Sequence, residues 1–158
     1  MTLNLENATR AAYLTSGFWL AFTIGRALSI PVAARFKPGQ ILTVAFLGGL
    51  ASMALAIVMP KSVNMLWAAT LAVGFFMAPV WATGYNLAGQ SIKLTATISS
   101  IILLGDSVGG IVLPSLTGQA IERFGAQSMP WLVFGSLAIN ALVFVIMLQQ
   151  HKSAHVSE

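Results

Sequence analysis

Five long apolar runs, joined by connections of only a few residues, leave this chain few ways to fold. They cover about 13–34, 41–59, 64–87, 95–120 and 130–148. A hydrocarbon core about 30 Å thick is crossed by roughly 20 apolar residues in helical form, and every run is of that order. Their continuity argues against the alternation of a transmembrane barrel strand. The expected fold is therefore all-α: a polytopic bundle of five transmembrane helices within 11–150. A polar N-terminal segment (1–10) precedes it and a polar C-terminal tail (151–158) follows.

Composition points the same way. Hydrophobic residues make up 57% of the chain and charged residues 8%, where an ordinary soluble domain carries roughly 25% charged residues. Four acidic and eight basic residues cannot clothe a water-facing surface around one core. A lipid-facing surface removes that need, so the lipid bilayer is the first expected partner. The net charge of +4 comes from basic residues scattered over loops and helices without a patch, which argues against nucleic acid. With no cysteine, neither disulfides nor thiolate metal sites are available. The first ten residues are polar and lack a basic stretch before an apolar core, so no signal peptide is read there.

Proline and glycine sit inside several runs: Gly25 and Pro31, Gly48 and Gly49, Gly74 and Pro79, then Gly105, Gly109, Gly110 and Pro114. Neighbouring helices can satisfy the backbone groups that such residues free. Small residues also let helices approach closely, and Gly105-x-x-x-Gly109 has that spacing. Helix packing is the expectation for these glycines. Trp67, Trp131 and Tyr85 lie near run ends, where aromatic rings favour the interface. With the N-terminus outside, Arg35, Lys37, Lys93 and Lys152 fall on the inner side, and Arg10, Lys61 and Arg123 on the outer. That is a narrow positive-inside bias.

The order of these features resembles the C-terminal half of a major facilitator superfamily transporter. The resemblance runs from about Ala11 to Gln150 and aligns with that family's last five helices. Its most specific part is the first helix and its exit, YLTSGFWLAFTIGRALSIPVAARFKPGQIL. This stretch is similar to the fucose permease and sodium-dependent glucose transporter branches, in the Gly25-Arg26 pair and the Arg35-Phe36 turn. GFFMAPVWATGYNLAGQ resembles the equivalent third helix with its proline, here Pro79. ILLGDSVGGIVLPSLTGQAIERFG resembles a glycine-rich penultimate helix with Gly109, Gly110 and Pro114. The family's cytoplasmic loop motif is reduced to its basic element, Arg35 and Lys37, because Ala34 stands at the acidic position.

The resemblance implies ion-coupled alternating access that moves a small polar solute, a monosaccharide, with H+ or Na+, across the plasma or cell inner membrane. Such folds are built from paired repeats. Five helices read as a six-helix repeat without its first member, so Met1 is expected to mark a truncated product or a fragment. The missing N-terminal half of the transporter becomes a further expected partner. The alternative is a non-transporting membrane protein: an interaction or regulatory partner, or a truncated remnant.

Two charged residues fall inside the runs, Arg26 in the first and Asp106 in the fourth. Each costs about 2.5–3.5 kcal/mol at a helix centre on the insertion scale, so both are expected to face a bundle interior or a watery cavity. One reading makes Asp106 an ion-coupling or solute-binding carboxylate with Arg26 as its partner or gate. The other makes them a structural pair, with Arg26 also able to snorkel. Sugar recognition uses aromatic faces together with amide and hydroxyl groups. Trp81, Tyr85 and Asn86 on the third run, and Trp19 and Thr23 beside Arg26 on the first, offer these. Trp81 and Tyr85, four apart, share a helix face. The plainer reading of these rings is interface anchoring and helix or lipid packing.

No enzyme is expected and no cofactor. His151 and His155 lie in the tail, far from any Ser–acid arrangement and without a third metal ligand. Gly105-x-x-x-Gly109 is not followed by the Gly-Lys-Ser/Thr of a phosphate loop. Asn7-Ala8-Thr9 is a glycosylation triplet close to the first run, a pattern common by chance.

Overall fold

The computed structural model describes residues 2–58, 63–125 and 128–154. Six helices follow one another, α1 (Thr2–Ala33), α2 (Pro38–Val58), α3 (Val63–Met77), α4 (Val80–Ser91), α5 (Ala96–Phe124) and α6 (Ser128–Ala154), and no strand occurs among the described residues. α3 and α4 are two parts of one span, Val63–Gln90, so the described residues hold five helical stretches long and apolar enough to cross a membrane. The Pro60-Lys61 turn and His155 lie outside the described residues, as do the side chains of Asn7, His151 and Lys152. α1 begins at Thr2, so the polar first residues continue the helix.

The ends of the helices follow from local chemistry. Beyond Ala33, α1 tightens as the Arg35 and Phe36 amides both donate to the Val32 carbonyl, each at 3.0 Å. Pro38 then opens α2 at the position where its missing N–H costs nothing. The Lys37 amide donates to Gln40 Oε1 at 3.2 Å across this turn. Thr95, in extended conformation, caps α5 by accepting from the Ile98 amide at 3.4 Å. Gly125 ends α5 at φ 83°, a value that side-chain-bearing residues avoid.

Packing gives the direction of each span. Gly17 abuts Trp67 and Leu71, Gly74 abuts Phe18, and Gly25 abuts Phe75 and Ala78. Both series rise together, so α1 and α3 run parallel. α2 runs against both: its later residues Met53 and Ala56 meet Ala69 and Val73, while its earlier residues Leu42 and Phe46 meet Val80 and Leu87. It also runs against α6, with Gly39 on Leu148 and Gly49 near Leu137. Two buried clusters line α2. One joins Met53 and Ala56 to Ala69, Val73 and Leu137. The other joins Leu42 and Phe46 to Phe144, with Val80 and Leu87 of α4 against it. The Phe46 and Phe144 rings sit 5.5 Å apart.

Lipid tails are as apolar as these side chains, so the contacts hold by close packing rather than by escape from water. Trp67, read from sequence as an interface anchor, instead fills the α1–α3 contact over Gly17.

The glycines of α5 depart from the packing expectation. A Cβ at Gly105, Gly109, Gly110 or Gly118 would meet nothing within 4 Å. No residue of α5 is buried. The reason is geometric: α5 rests on α6 and touches α4 near one end, which leaves its glycine face without a facing helix among the described residues.

Candidate functional site

The third span breaks at Ala78–Pro79. Pro79 has no N–H to offer the Phe75 carbonyl four residues back, and its ring crowds that carbonyl. The Ala78 amide reaches it at 3.4 Å, and Gly25 of α1 comes close from the other side. A Cβ at Gly25 would lie 2.6 Å from that oxygen, so only glycine permits this approach. Ala78 is fully buried at the crossing. Beyond it the helix resumes as α4, which presents Trp81, Tyr85 and Asn86.

The Trp81 and Tyr85 rings stack 5.6 Å apart at an interplanar angle of 10°, the arrangement that a four-residue helical spacing allows. Trp81 is 45% exposed, Asn86 is exposed, and Tyr85 is half-buried. The Tyr85 hydroxyl shares a 2.7 Å hydrogen bond with Ser99 Oγ in the first turn of α5. Tyr85, expected at an interface, thus links two helices. Ser99 was not among the sequence candidates, since a lone hydroxyl in the run Thr97-Ile98-Ser99-Ser100 carries no signal of a partner fourteen residues away.

Ser99 and Asp106 are seven apart on α5 and lie on one stripe, about 10 Å from each other along the axis. Asp106 is exposed. Ser107 and Thr117, further along α5, donate to the Leu103 and Leu113 carbonyls at 2.9 and 2.8 Å, which occupies their hydroxyls locally. The stacked rings of α4 and the Asp106 stripe of α5 therefore flank the Tyr85–Ser99 link.

The α1 candidates form a separate group. Trp19, Thr23 and Arg26 share the exposed face, opposite the Gly25 and Phe18 contacts with α3. Trp19 meets Phe18 and Phe22 edge to face at 5.6 and 5.7 Å. The Thr23 hydroxyl donates to the Trp19 carbonyl at 2.8 Å. The Arg26 guanidinium carbon lies 5.5 Å from the Phe22 ring centre, a cation–π distance. The structure does not bring Arg26 to Asp106: α1 packs on α3 and marginally on α2, and the Arg26 guanidinium lies over the Phe22 ring instead. A long side chain bridging similar depths fails here because the two helices are not neighbours. Arg35 and Lys37 are exposed on the α1–α2 turn. Given the alternating spans, that turn shares its membrane face with Lys93, while Glu122 and Arg123 end α5 on the other. Among the described residues no group of three His, Asp or Glu side chains is placed to hold a metal ion.

Fold and span pattern define the class: an integral, multi-pass, all-α membrane protein. Its kinship with the major facilitator superfamily, expected from the Gly25-Arg26 and Pro79 segments, is borne out by sequence relatives. The chain is 29% identical over 154 residues to major facilitator superfamily domain-containing protein 4A of Danio rerio, covering 96% of this chain and 29% of that protein. It is 30% identical over 146 residues to sodium-dependent glucose transporter 1 of Danio rerio, covering 92% and 24%. Against the human domain-containing protein 4A the identity is 26% over 138 residues, covering 86% and 27%. The chain thus spans about a quarter to a third of the length of the curated relatives it matches. No protein-family model matches the chain, and no solved structure does.

Proposed function

We propose that the chain contributes to secondary active transport of a small polar solute, a monosaccharide, coupled to an H+ or Na+ gradient, as the C-terminal portion of a major facilitator transporter. The observation that carries this reading is the Trp81–Tyr85 stack, tied through Ser99 to the α5 stripe that bears Asp106. Stacked aromatic faces suit the C–H faces of a sugar, and Asn86 supplies an amide for its hydroxyls. An ionised carboxylate within a span is tolerated where more protein or water covers it. Asp106 and the bare glycines beside it accordingly belong against the complementary helices of a complete transporter, around a midplane site. There Asp106 serves as the coupling carboxylate, and Arg26, Trp19 and Thr23 face the same cavity from α1. Arg35 and Lys37 act from the cytoplasmic turn. The name of the zebrafish glucose transporter supports sugar and sodium as the solute and ion to test first.

The test is a chimera in which residues 11–150 replace the matching segment of that zebrafish transporter, reconstituted in proteoliposomes. Gradient-driven glucose uptake is expected, and Asp106→Asn is expected to abolish it with insertion unchanged. A chimera that inserts normally but shows no gradient-coupled flux of any monosaccharide contradicts the proposal, as does full uptake with unaltered ion dependence in Asp106→Asn.

A further inference from the structure

A crevice of about 320 Å³ opens between α1, α2 and α3, away from the aromatic pair of α4. Leu28, Val32, Phe36, Val44, Phe75 and Pro79 form its walls. Among the described residues only two polar side chains border it, each with one local hydrogen bond: Ser29 Oγ donates to the Arg26 carbonyl at 2.7 Å, and Gln40 Oε1 accepts from the Lys37 amide at 3.2 Å. A sugar placed there would leave most of its hydroxyls without partners. A hydrocarbon chain would not.

The crevice ends at the α1–α2 turn, where Phe36 is part of its wall. Arg35 and Lys37 flank Phe36 directly, with neighbouring Cα atoms about 3.8 Å apart. Both cations are exposed, and the N-terminus of α2 adds its positive end at the same place. An apolar slot within the span and two cations at its mouth match one kind of molecule in both of its parts. We infer that this crevice holds an anionic phospholipid, with an acyl chain along Leu28, Val44 and Phe75 and its phosphate headgroup at Arg35 and Lys37. Because an acyl chain already sits among apolar neighbours in the bilayer, entering the crevice gains it little. Selectivity therefore resides in the headgroup, and the site prefers anionic over zwitterionic lipid.

The experiment is native mass spectrometry of the full chain in neutral detergent, titrated with phosphatidylglycerol or with phosphatidylcholine of the same acyl chains. One phosphatidylglycerol is expected to be retained in preference to phosphatidylcholine. Arg35→Gln and Lys37→Gln are each expected to weaken that retention about fivefold. Val44→Phe, which fills the slot and leaves the cations in place, is expected to weaken it as well. Lys93→Gln, on the same membrane face and away from the crevice, leaves it unchanged. Equal retention of the two lipids overturns the inference. So does a loss in Lys93→Gln matching that in Arg35→Gln, which indicates diffuse surface charge, or an undiminished signal in Val44→Phe with melting unaltered.

Discussion

Replacing Gly25 by alanine tests the α1–α3 crossing on which the rest of the bundle is aligned. The new methyl would sit 2.6 Å from the Phe75 oxygen and 2.8 Å from the Ala78 Cβ, where ordinary contact begins at 3.4 Å. Neither neighbour is the end of a flexible side chain. One is backbone at the Pro79 break, and the other belongs to a fully buried residue. The helices must therefore part by about 0.8 Å, the shortfall between 3.4 and 2.6 Å. Overpacking of this kind costs about 1–3 kcal/mol.

Alanine also favours the helix over glycine by about 1 kcal/mol, which would mask part of the loss. Gly105→Ala supplies the correction, because a Cβ there meets nothing within 4 Å and it gains the same propensity. Propensity cancels in the comparison, so Gly25→Ala is expected to be less stable than Gly105→Ala by about 1–3 kcal/mol. Reversible unfolding in mixed micelles by added sodium dodecyl sulfate, followed by tryptophan fluorescence, reads that difference. Equal midpoints, or a higher midpoint for Gly25→Ala, would refute the crossing geometry.

Other contacts give further expectations. A double-mutant cycle of Tyr85→Phe and Ser99→Ala should return a coupling of about 0.5–1.5 kcal/mol for the α4–α5 hydrogen bond, and zero coupling would deny it. Gly48→Ala should destabilise the chain because its Cβ meets the Phe76 ring, and adding Phe76→Leu should recover most of the loss in the same unfolding assay. Phe46→Ala, against Phe144, is expected to cost about 1–3 kcal/mol. That is less than the usual 3–5 kcal/mol for a soluble core, since the water-transfer part falls away in lipid.

The fold was legible because a membrane span announces itself over twenty consecutive residues, independent of what packs on it. Pro79 stood out only through the family resemblance of its helix, whereas the four-residue spacing of Trp81 and Tyr85 already put their rings side by side. What escaped depends on which helices become neighbours. Tyr85 finds Ser99 only because α4 ends beside the start of α5. Arg26 and Asp106 looked like partners by depth alone, yet α1 and α5 are not packed together. Glycine spacing on α5 promised a contact that is absent among the described residues, while Gly25 and Gly74, with no motif spacing between them, bring α1 and α3 close together. Periodicity records that a face is small or polar and does not record what lies opposite.

The bundle crosses the membrane five times in strict alternation, and the native chain has no cysteine to complicate labelling. Single cysteines at Lys37, Lys93 and Glu122, labelled in sealed vesicles with a membrane-impermeant maleimide, report the side of each turn. Positions 37 and 93 are predicted to label from one face and position 122 only from the other. Labelling of all three from the same face would contradict the five-span arrangement.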